Sequence, residues 1–130
     1  MRTIAIIALC TISGAAHAGF WDGNQPKRGC DNDRSFIVGY VTGWVDKHET
    51  DTMLAKDHML LALKSGSQEI FQSARETANL IQMKVCLPDQ VTAGQVADVF
   101  CKSLRDNPAT RHRAGTLLLE TALNQAFPCS

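Results

Sequence analysis

The chain of 130 residues balances 13 Lys and Arg against 13 Asp and Glu, a formal net charge of zero. A chain so balanced has no basic field with which to hold nucleic acid or an anionic membrane surface. Its length fits a single domain with a modest core, and it has neither a Gly-rich phosphate loop nor the roughly 20-residue apolar run of a membrane span.

The amino end predicts a secretory leader. Arg2 precedes the apolar run "IAIIALC", and "SGAAHA" sets Ala16 and Ala18 at the −3 and −1 positions of a signal-peptidase site. Cys10 lies inside the apolar run behind Leu9, which is not the small residue a lipoprotein junction requires. Cleavage after Ala18 is expected to leave one exported domain, residues 19–130. Removing 18 of 130 residues leaves 112, with 12 basic residues against 13 acidic ones and four cysteines: Cys30, Cys86, Cys101 and Cys129. Four cysteines in an exported chain read first as two disulfides, and three pairings exist.

Residues 19–33, "GFWDGNQPKRGCDND", are rich in Gly, Asp, Asn and Pro and read as an irregular lead-in. In "RSFIVGYVTGWVDKH", Phe36, Ile37, Tyr40, Val41, Trp44 and Val45 recur at spacings of three and four, a wide apolar helical face. Gly39 and Gly43 in that helix each cost about 1 kcal/mol relative to Ala. Such a cost predicts a second helix packed closely on the bare strip, or a partner resting there. The charged half of "DKHETDTMLAKDHMLLALKSG" reads as an exposed connection, and its "MLLALK" half as a short helix ending near Lys64. "SQEIFQSARETANLIQMKV" then aligns Ile70, Phe71, Ala74, Ala78, Ile81 and Val85 on one helical stripe, with Ser67 as N-cap.

"CLPDQVTAGQVADVFC" carries the clearest start signal. Thr92 and Gln95 have the spacing of a capping box, and Val91 and Val96 that of a hydrophobic staple. This helix is expected to reach about Arg105, with Val96, Val99, Phe100 and Leu104 apolar. Asn107 and Pro108 fit the start of a last helix, 109–126, carrying Leu117, Leu118, Ala122, Leu123 and Ala126 and stopped by Pro128. The fold class expected is all-α, a disulfide-stapled bundle of four to five helices.

Chemistry is sparsely supported. His48 and His58 are ten residues apart, His112 is remote, and no ligand spacing joins them, so no metal or other cofactor is expected. Cys86 between Val85 and Leu87 sits in apolar surroundings that disfavour a thiolate, and Glu49 and Asp51 lie in the polar connection. No catalytic residue is identified, and the chain does not read as an enzyme. Geometry favours staples: two helices joined by a short turn run antiparallel, which returns Cys129 to the level of Cys86 and leaves Cys30 for Cys101. The first bridge is worth about 4 kcal/mol on the chain-entropy model. The basic cluster "RHR" at 111–113 falls in the first turn of the last helix, against its macrodipole, either as an accident of an exposed turn or as a dock for a carboxylate.

"GYVTGWVD", followed by "CLPDQVTAGQVADVFCKSLRDNPATRHRAGTLLLETALNQAFPC", resembles the Rap/Tai-type immunity protein family of type VI secretion. The matched positions are Gly39, Tyr40 and Gly43; Cys86, Pro88, Val91, Thr92 and Gln95; Leu104, Pro108 and Arg111; and Ala122, Leu123, Phe127, Pro128 and Cys129. The chain departs from the pattern at Ile37 and Val38, where many relatives carry a Cys before the Gly-Tyr pair. The resemblance implies a periplasmic, non-catalytic protein, often a homodimer, that binds a cognate peptidoglycan amidase and covers its active-site groove. The contact surface it implies is the stretch free of scaffold motif: Lys47, His48, Glu49, Asp51, Thr52 and Lys56. The rival expectation is a small periplasmic helical chaperone or binding protein with no amidase partner.

Overall fold

The computed structural model describes residues 21–81 and 85–129. The leader expected at residues 1–18 lies outside them. Among the described residues the chain forms α1 (Asn24–Asn32), α2 (Arg34–Ser65), α3 (Gln68–Ile81), α4 (Ala93–Asp106), a 3-10 turn (Pro108–Thr110) and α5 (Gly115–Ala126). Extended pairing among the described residues consists of two isolated bridges, Asp22 with Ala114 and Val85 with Pro128.

The lead-in is therefore not irregular: most of it is α1. Pro26 falls in the first turn of that helix, where the backbone N–H has no intrahelical partner to lose. Asp22 Oδ1 accepts from the Asn24 N–H at 2.8 Å. Asp33 closes α1 and opens α2 at once, its side chain accepting from the Phe36 N–H at 3.0 Å.

The second correction concerns α2. The exposed connection expected across residues 46–56 is helical, part of one unbroken helix of 32 residues. Charge alone does not break a helix. Lys47 and Asp51 are paired at i, i+4, and beneath them the inner stripe continues through Val41, Trp44, Val45, His48, Thr52, Ala55, Met59 and Ala62, none of which is exposed. Gly66 ends the helix in the left-handed conformation, φ 68°, which Gly adopts without penalty.

At about 1.5 Å per residue α2 is roughly 48 Å long, and its two halves do different work. The first half packs into a body core formed by Ile37 and Val41 of α2, Val96, Ala97, Phe100 and Leu104 of α4, and Leu118, Leu119, Ala122 and Leu123 of α5. The second half pairs with α3 in a helical hairpin whose buried apolar residues are only Ala55, Ala62 and Ala78. Leu54, Leu60, Leu61, Leu63, Ile70 and Leu80 of this arm stay exposed.

Two disulfides hold the body. Cys30 of α1 bridges Cys101 of α4, and Cys86 bridges Cys129, across sequence separations of 71 and 43. On the chain-entropy model each is worth about 4 kcal/mol. The Cys86 N–H also donates to the Phe127 carbonyl at 3.0 Å, so the segment before α4 lies against the chain's last turn.

Helix α4 begins on a complete capping box: Gln95 N–H donates to Thr92 Oγ1, and Thr92 N–H to Gln95 Oε1 at 2.8 Å. Its end differs from expectation. The Asn107 amide turns back to the Ser103 carbonyl at 2.9 Å instead of capping a new helix, so Pro108 opens only a 3-10 turn and α5 waits until Gly115. The basic cluster precedes α5 and does not form its first turn. Arg111 serves α4: its Nε donates to the Leu104 carbonyl at 2.6 Å and its Nη2 to the Arg105 carbonyl at 3.2 Å, placing positive charge on the negative end of that helix.

The glycine strip is the last correction. A Cβ at Gly39 or at Gly43 would meet nothing within 4 Å, so no helix of the described residues packs there. By contrast, a Cβ at Gly23 would meet Leu118 Cδ1 at 2.5 Å and the Arg111 carbonyl oxygen at 3.0 Å. Gly39→Ala is expected to raise stability by about 1 kcal/mol, and Gly23→Ala to lower it by about 1–3 kcal/mol through overpacking; urea denaturation of the oxidised protein measures both.

Candidate partner-binding groove

The six residues expected at a contact surface lie on α2 where it leaves the body, and helical periodicity divides them. His48, Glu49, Thr52 and Lys56 face one side and line a groove of about 490 Å³ together with Val45 and Met53. The facing wall is Val85, Cys86 and Leu87, which no helical pattern could have placed there. Lys47 and Asp51 do not line the groove; they pair with each other elsewhere on the helix.

The wall is fixed by its surroundings. Cys86 is tied covalently to Cys129 and by hydrogen bond to Phe127, while Val85 and Leu87 pack against the body core. On the α2 side, the His48 ring stacks on Trp44 with centroids 5.9 Å apart, and Thr52 Oγ1 lies 3.5 Å from His48 Nε2. Partial burial lowers the His48 pKa below its ordinary 6.5, against the opposing pull of Asp51, Glu120 and Glu49. Glu49 and Lys56 put one charge of each sign on the rim, one helical turn either side of Met53 or Thr52.

Apolar walls with a few polar groups and a charged rim are the composition of a binding surface. Every described cysteine is in a disulfide, so no described thiol can act as a nucleophile. Among the described residues no group of three His, Cys, Asp or Glu is arranged to hold a metal ion, and no helix is long and apolar enough to cross a membrane.

The family model for Rap1a immunity proteins matches residues 6–129. The chain belongs to this family. No curated protein and no solved structure matches it significantly. Membership of an immunity protein family implies binding of a cognate secreted effector. The structure also explains what the shared motif positions do. Thr92 and Gln95 cap α4, Cys86 and Cys129 form a bridge, Leu104, Ala122 and Leu123 fill the core, and Arg111 closes the end of α4. These are scaffold positions, and the groove residues of α2 lie outside them.

The His48 environment sets a pH dependence. Folding favours the neutral imidazole, so the unfolded chain takes up the proton more readily; the contribution of His48 to stability is present above its ordinary 6.5 and is lost as the pH falls below it. Thermal melts from pH 7.5 to 5 should show a smaller loss for His48→Gln than for the wild type.

Proposed function

We propose that this member of the family is a periplasmic immunity protein whose effector is a peptidoglycan amidase of type VI secretion, and that it neutralises the amidase by covering its active site without catalysis. The observation that carries the reading is the groove itself. It is apolar in its walls and charged at its rim through Glu49 and Lys56, and it is set between a long helix and a disulfide-pinned segment. A projecting loop of the effector would seat its apolar side chains against Val45, Met53, Val85 and Leu87 and its charges against the rim, with His48 and Thr52 offering hydrogen bonds. Export, which the amino-terminal sequence leads us to expect, would put the protein where cell-wall amidases act and where disulfides persist.

Binding of the oxidised protein to amidases encoded in neighbouring genes, followed by calorimetry, tests the reading together with rescue of cells carrying the amidase in the periplasm. The double variant Glu49→Lys, Lys56→Glu is expected to weaken binding about tenfold to a hundredfold and to abolish rescue. Absence of binding to every such amidase would sink the amidase reading. A double variant that binds as tightly as the wild type would move the contact away from the groove.

A further inference from the structure

The two disulfides differ in what surrounds them. Cys101 is a core residue only 4% exposed, and Cys30 packs half-buried against the same core. Cys86 and Cys129 are both exposed, and Cys86 lines the groove itself. Thiol–disulfide exchange needs a thiolate to reach a sulfur of the bridge, so access decides which of the two a reductant finds first.

The exposed bridge is also the one that positions a wall of the groove. Among the described residues, backbone pairing between the segment before α4 and the residues after α5 amounts to Val85 opposite Pro128 and one hydrogen bond, from the Cys86 N–H to the Phe127 carbonyl at 3.0 Å. Short extended segments joined so sparsely are marginal by themselves, and Val85 and Leu87 are only half-buried against the core. The covalent bond between Cys86 and Cys129 is what makes this contact durable. The body does not share the dependence: α4 keeps its own capping box, and Cys30–Cys101 ties α1 to the core beside the fully buried Phe100. Opening the exposed bridge therefore frees the wall and leaves the body folded.

We propose that Cys86–Cys129 is an exchange site for a dithiol oxidoreductase, and that its reduction releases the Val85–Leu87 wall of the groove. One thiolate of the dithiol attacks the Sγ of either cysteine; the S–S bond breaks, a mixed disulfide forms, and the other cysteine leaves as a thiolate and takes a proton. The second thiol of the dithiol then attacks the mixed disulfide. The first cysteine departs and is protonated, and the reductant leaves as a disulfide, two electrons and two protons having passed to the bridge. Exchange and release stand on the geometry of the bridge and the wall; their consequence for an effector rests on the amidase reading.

Brief treatment of the oxidised protein with dithiothreitol, then alkylation and mass-spectrometric mapping, tests the site. Cys86 and Cys129 are expected to label at least about tenfold faster than Cys30 and Cys101. Amide hydrogen exchange of that partly reduced form tests the release: the Cys86 amide should exchange at least about tenfold faster than in the oxidised protein, while Phe100 and Cys101 in α4 keep their protection. The double variant Cys86→Ser, Cys129→Ser should show the same pattern without reductant. Equal labelling of the four cysteines, or earlier labelling of Cys30 and Cys101, overturns the exchange site. Selective labelling with an unchanged Cys86 amide overturns the release, and loss of protection throughout α4 in the double variant overturns the separation of wall from body. Each readout is taken on the protein alone, so a failure here is distinct from a failure to bind an amidase.

Discussion

The Cys30–Cys101 bridge fastens α1 to the buried middle of α4, and the body closes around that joint. Cys101 is itself a core residue, one position from Phe100, which is fully buried where α2, α4 and α5 meet. A domain this small buries too little apolar surface to tolerate a loosely placed helix. With α4 anchored to α1 at its middle and capped by Thr92 and Gln95 at its start, the chain leading into it has little freedom. Val85, Cys86 and Leu87 are held beside the last turn by the second bridge, and these residues form one wall of the groove.

The arm obeys a different economy. Its interior is three alanines with Met59 and Phe71 half-buried, while leucines project outward. A two-helix hairpin with such an interior gains little from its own packing; α2 supplies the continuity, running unbroken from body to arm. The same helix therefore shows three environments along and around its length: a face buried in the body and against α3, a groove face with mixed chemistry, and an exposed outer stripe. The chain matches the Rap1a immunity protein family across the whole described region.

What the sequence by itself determined was local or covalently constrained. Thr92 and Gln95 announce the start of α4 because a capping box is satisfied within four residues, and the all-α class follows from apolar spacings that repeat every three or four residues. Helix α1 was hidden because Gly, Pro, Asp and Asn signal loops on average, yet Pro26 fell where a helix accepts it. The middle of α2 was hidden because exposed charge resembles a connection, when its inner stripe needed only one residue in three or four to be buried. Tertiary structure alone decided the rest. It sent Arg111 back to the carbonyls of Leu104 and Arg105, left Gly39 and Gly43 uncovered, and set Val85 and Leu87 across from His48 and Lys56. Those contacts join residues far apart in the chain, and no periodicity within one helix encodes which distant segment will lie against it.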